Sequence, residues 1–114
     1  RRGEAAGTGA GAGAVEVGVT IPADLDGTIH SPKRLAAMAI LASSTTTDFS
    51  FLREQLKLAD ADLSKQTGAL RDAGYVKTKK IGHGRTGQTR FTIMSEGRAA
   101  YLAYRRHLLD LLRE

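Results

Sequence analysis

Residues 60–94 read DADLSKQTGALRDAGYVKTKKIGHGRTGQTRFTIM. The first part predicts a helix from Asp60 to Ala73. Leu63, Thr67 and Leu70 recur at helical spacing on one side. Ala61, Ser64, Lys65, Gly68 and Asp72 fall on the other. Gly74 follows, in the usual place for a left-handed residue that ends a helix. Gly68 costs the helix roughly 1 kcal/mol relative to alanine, so close approach of another surface is the reason it suggests. From Tyr75 the period changes to two. Val76 and Thr78 alternate with lysines up to Ile81, and Thr89, Phe91 and Ile93 alternate with Arg90 and Thr92 up to Met94. These are two strands. Their connection, Gly82-His83-Gly84-Arg85-Thr86-Gly87-Gln88, is too glycine-rich for a packed element and forms a long basic hairpin tip. Glycine-rich phosphate cradles open into a helix, and this loop joins two strands.

Upstream, Ser31-Pro32 is a helix start: serine caps free N–H groups and proline fits the first turn. Leu35, Met38, Ala39 and Ala42 form its apolar face, and the run Ser43–Thr47 ends it. A second, short helix begins at Thr47 or Asp48, with Phe49, Leu52 and Leu56 on one side. Leu58-Ala59-Asp60 is a tight connection to the third. Downstream, Ser95 can cap a long helix to about Leu112. Tyr101, Tyr104, Leu108 and Leu111 make one stripe on it, and Leu102, Leu109 and Leu112 a second. Such a width is enough to pack on the domain and on a second copy. The first eighteen residues hold six glycines and five alanines, too little apolar surface to offset ordering entropy. Residues 1–23 are therefore expected to be a flexible arm, and 24–114 the folded domain.

The charge is uneven. Residues 1–62 carry six Lys and Arg against eight Asp and Glu; residues 63–114 carry eleven against four. A basic block inside a folded segment suggests a polyanionic partner. The chain has no cysteine, which excludes a disulfide framework and a thiolate metal site. His30, His83 and His107 are too scattered to read as a metal site, so no metal and no cofactor is expected. No run of about eighteen apolar residues suggests a membrane span, and a cytoplasmic location is expected. Nothing resembles a nucleophile with a positioned base, so the sequence does not read as an enzyme.

The order helix, helix, tight turn, helix, hairpin, helix describes a mainly α fold with a β-hairpin (α+β): a winged helix-turn-helix with a long C-terminal helix. In such a fold the last helix of the core enters the DNA major groove, and the hairpin is the wing. Several runs carry a family resemblance: Leu25-Asp26, Ile29-His30-Ser31-Pro32-Lys33-Arg34-Leu35, Asp48-Phe49-Ser50-Phe51-Leu52-Arg53, Asp62-Leu63-Ser64-Lys65-Gln66, Leu70-Arg71-Asp72-Ala73-Gly74-Tyr75-Val76, Gly84-Arg85, Thr89-Arg90-Phe91-Thr92-Ile93 and Glu96-Gly97-Arg98-Ala99-Ala100-Tyr101. Over about residues 24–112 the chain resembles the small winged-helix transcriptional regulators of bacteria and archaea related to the MarR and ArsR groups. The resemblance implies a homodimeric DNA-binding regulator paired through its terminal helices. The chain departs from that pattern at Ala59, Asp62, Gln66 and Thr67.

The expected partners are double-stranded DNA and a second copy of the chain. Ser64, Lys65 and Gln66 are the expected base readers, since glutamine pairs with adenine edges and lysine with guanine, with Gly68 permitting approach. Arg71, Lys79, Lys80, Arg85 and Arg90 are expected on phosphates, with His83 and Gln88 at the wing tip. Tyr101, Tyr104, Leu108, Leu109, Leu111 and Leu112 are expected to form the dimer. A small-molecule effector would find room between the core and the terminal helices, although no residue pattern names one. The alternative is a winged-helix protein-interaction module that has lost DNA binding, suggested by the carboxylates Asp60 and Asp62 at the start of the third helix and by the altered residues of that helix.

Overall fold

Ser31 accepts a hydrogen bond from the Arg34 N–H, and Pro32 occupies the first position of α1 (Pro32–Ser44). The computed structural model describes residues 25–84 and 87–113; the expected arm 1–23 lies outside the described residues. Helix α1 is the centre of the domain. Its deepest residues are Ala37, Met38 and Leu41, while Leu35 and Ala42 are only partly buried. The apolar face read from the sequence is therefore displaced, because neighbours surround α1 on several sides.

Ser43 and Ser44 both donate to the Ile40 carbonyl and end α1. Thr45 follows with φ 70° and forms the cap. The sequence reading missed what comes next: Thr46–Asp48 is a strand, β1. Asp48 then caps α2 (Phe49–Leu56), its carboxylate accepting from the Phe51 N–H at 2.8 Å. Lys57, at φ 55°, turns the chain in the left-handed region, and α3 (Asp60–Asp72) follows. Leu63, Thr67 and Leu70 are buried as expected.

A hydrogen-bonded turn closes α3. The Gly74 N–H donates to the Arg71 carbonyl and the Tyr75 N–H to the Leu70 carbonyl. Gly74 sits at φ 82°, where a side chain is disfavoured. Strands β2 (Val76–Ile81) and β3 (Gln88–Ile93) form the antiparallel hairpin. β1 pairs with β3 on the other side, giving the order β1-β3-β2. Alternation sends Val76, Phe91 and Ile93 into the core.

Helix α4 spans Ser95–Leu112, but its cap is Met94 and not Ser95, which is already the first helical residue. The Met94 N–H instead donates to the Tyr75 carbonyl at 2.8 Å. Gly97 lies directly on that same backbone: a Cβ there would stand 2.2 Å from the Tyr75 oxygen. Arg98 ties α4 to the end of α1, donating to the Ala42 carbonyl and the Thr45 hydroxyl. The turn before α1 is fixed by Asp26, which accepts from the Thr28 and Ile29 N–H groups and from the Tyr75 hydroxyl. Among the described residues, four helices and a three-stranded antiparallel sheet thus enclose one core running from Ile29 to Tyr104.

Candidate nucleic-acid interface

Helix α3 and the hairpin define the candidate interface. On α3, Ser64, Lys65, Arg71 and Asp72 are exposed and Gly68 is half-buried. A Cβ at Gly68 would meet only the Arg71 guanidinium, at 3.6 Å. Nothing inside the protein requires glycine there, so its permissiveness faces outward.

Gln66 does not join that face. It is only 6% exposed, which corrects the expectation that it reads bases. Its carbonyl oxygen accepts from Arg34 and its amide donates to Asp62, each at 2.8 Å. Both ends of the amide are thereby used within the protein. The other Asp62 oxygen accepts from the Lys33 ammonium, and these two donors hold the Asp62 carboxyl below its ordinary range. Asp60 pairs with Arg53 at 3.1 Å. Each carboxylate in the first turn of α3 therefore has a cationic partner. Both carboxylates are thus tied to neighbouring helices. Negative charge at a helix N-terminus is also favourable in itself.

The hairpin is different. Lys79 stands directly opposite Arg90, and Lys77 opposite Thr92, on the face away from the core. Like charges placed opposite each other destabilise a sheet by a few tenths of a kcal/mol or more. Lys65, Lys77, Lys79, Lys80 and Arg90 have no ion-pair partner among the described residues. Lys80 pairs with Thr89 and lies on the opposite face, so the hairpin is basic on both sides. His83 and Gln88 are exposed at its outer end. Arg85 lies outside the described residues. Arg71 makes a loose contact with neighbouring Asp72 at 3.5 Å, which leaves it available to a phosphate.

The residues expected to pair two copies divide into three sets. Tyr104 is 3% exposed and its hydroxyl meets the His30 ring at 2.7 Å. It belongs to the core of its own chain, which corrects its assignment to the dimer. Tyr101 and Leu108 line an open apolar groove of about 480 Å³ against Leu35, Ala36 and Ala39 of α1. Leu109 and Leu112 are 58% and 67% exposed, as is Leu102 at 48%; Leu111 is half-buried. Two apolar faces of α4 are thus left uncovered by the described residues. Among the described residues no helix is long and apolar enough to cross a membrane, and no group of three or more acidic, histidine or cysteine residues could hold a metal ion.

A three-helix core, an outward third helix and a basic hairpin beside it define a DNA-binding winged helix. The chain belongs to the winged helix DNA-binding domain family, which it matches over residues 33–112. It is 32% identical over 83 residues to the uncharacterized protein MJ0432 of Methanocaldococcus jannaschii, covering 72% of this chain and 89% of that protein. Its fold is similar to that of a transcriptional regulator homologue from Pyrococcus horikoshii, with TM-score 0.70 and 24% identity, over 75% of this chain and 84% of the other. It is also similar to overoxidized AbfR in a structure bound to DNA, with TM-score 0.65 and 15% identity, over 74% of this chain and 61% of that one. The chain thus carries a DNA-binding winged helix, and the winged-helix fold read from its sequence holds.

Proposed function

We propose that the protein is a homodimeric, sequence-specific regulator of transcription that lays α3 in the major groove and the hairpin on the adjoining backbone or minor groove. The observation that carries this reading is the hairpin's charge: Lys79 stands opposite Arg90 and neither has an ion-pair partner among the described residues, beside a helix face of Ser64, Lys65 and Gly68. A groove walled by phosphates on both sides supplies anions to both faces of such a hairpin. Ser64 and Lys65 read base edges, Gly68 allows the approach, and Arg71, Lys79, Lys80, Arg85 and Arg90 take phosphates, with His83 and Gln88 at the tip. The exposed leucines of α4 and the α1–α4 groove suit a second copy, and a small-molecule effector would sit in the same region. Two copies would then address half-sites about one helical turn apart.

The test is binding to genomic duplex fragments at two salt concentrations. Affinity should fall steeply with salt, and light scattering should give twice the chain mass. Replacing Leu109 and Leu112 with glutamate should yield a monomer. Salt-independent binding, or none, would discard the DNA reading; an unchanged mass for the double variant would discard the α4 interface.

A further inference from the structure

Resting on that reading, we infer that Lys33 and Arg34 of α1 are positioning residues for DNA recognition: they hold α3 at the rotation that sets its sequence preference. Neither lies on the helix that meets DNA. The two adjacent side chains grip α3 at two points one helical turn apart. Lys33 donates to Asp62, and Arg34 donates to Gln66. Gln66 in turn donates to Asp62, which closes the ring. Arg34 also donates through Nε to the Thr28 carbonyl, so the ring is anchored to the turn that precedes α1.

The chemistry of the ring explains its purpose. The apolar contacts of Leu63 and Leu70 hold α3 against the core, but burial is non-directional and tolerates rotation. Hydrogen bonds between planar groups do not. A partly buried polar network of this kind is weak evidence for stability, and its best-attested use is to fix a register. Here the register fixed is that of Ser64 and Lys65, which flank Gln66 on its exposed side. A guanidinium can serve the Thr28 carbonyl and the Gln66 amide together from fixed directions, whereas a single ammonium cannot.

The experiment uses the full chain and two probes: the duplex it enriches most strongly from a randomised library, and a random-sequence duplex of equal length. Arg34→Met and Gln66→Met should lose about tenfold on the enriched duplex and under about threefold on the random one, with an unchanged salt slope. Arg34→Lys should behave like Arg34→Met. Equal losses on both duplexes, or a salt slope lowered by about one, would show Arg34 acting on a phosphate and would overturn the proposal. So would an unchanged ratio. Amide exchange without DNA gives an independent readout: α3 should exchange faster in Gln66→Met while α1 keeps its protection, and unaltered exchange in α3 overturns the clamp. If the unaltered chain enriches no duplex, the DNA reading fails, and exchange alone judges the clamp.

Discussion

Helix α3 and the hairpin lie side by side, yet they treat polar groups in opposite ways. On α3, Asp60, Asp62 and Gln66 are each tied to a side chain of a neighbouring helix. On the hairpin, Lys77, Lys79, Lys80 and Arg90 have no ion-pair partner among the described residues, although Asp48 of β1 stands opposite Arg90 in the sheet. The helix is thus oriented by the protein, while the hairpin, on the proposed reading, is completed by an external anion. Phosphate contacts position a protein and supply salt-dependent affinity; base contacts specify sequence. On the proposed reading, the two regions divide those tasks.

The strongest way to break the comparison is at the joint the two regions share. Gly97→Val should cost about 3 kcal/mol or more, because its side chain must displace the Tyr75 backbone, not a flexible side chain. Urea unfolding checks this, and a loss below about 1 kcal/mol would mean the joint yields. Next, Lys79→Ala with Arg90→Ala should weaken binding to every duplex about tenfold or more and flatten the salt slope by about two. Thermal stability should hold or rise slightly, since the facing cations are gone.

Smaller effects sharpen the contrast. Lys65→Ala should cost about 1 kcal/mol or more at one base position and change sequence preference there. A uniform loss on all sequences would reassign Lys65 to the backbone. The smallest effect is on acid stability. Asp62 titrates below its ordinary value of 3.8 in the folded chain because Lys33 and Gln66 donate to it. Its contribution is therefore complete above the unfolded value and is lost as pH falls through the folded one. Asp62→Asn should flatten that acid limb in urea midpoints between about pH 6 and pH 2.5, and an unchanged limb would remove Asp62 from it. The hairpin lysines should leave it untouched.

Much of the fold was legible because its signals are local. Ser31-Pro32, the Leu63–Leu70 spacing, Gly74 and the alternation around Phe91 each fix an element within a few residues. β1 was not, since the end of a Ser/Thr run and Asp48 become a strand only through pairing with β3. The start of α4 was misread for a similar reason. Ser95 has a capping side chain, but the Tyr75 carbonyl takes the Met94 N–H and the helix begins one residue earlier than a serine cap requires. In the candidate site, outward residues such as Ser64, Lys65 and Lys79 followed from periodicity. Gln66 did not. Its side chain is long enough to reach back to α1, and its place depends on Arg34, 32 residues away. Asp62, whose charge looked unfavourable for DNA, was the one available signal that α3 needed a partner. Tyr104 was likewise assigned by its stripe, and only its contact with His30 places it inside.

Asp48 finishes β1 opposite Arg90 and caps α2 with the same residue. No spacer therefore separates the sheet that carries the wing from the first helix of the recognition pair. Force applied at the wing base reaches α2 without slack, as through a lever with a welded fulcrum. An extra residue inserted between Asp48 and Phe49 would uncouple the two, whereas the wing tip can vary in length without disturbing that weld.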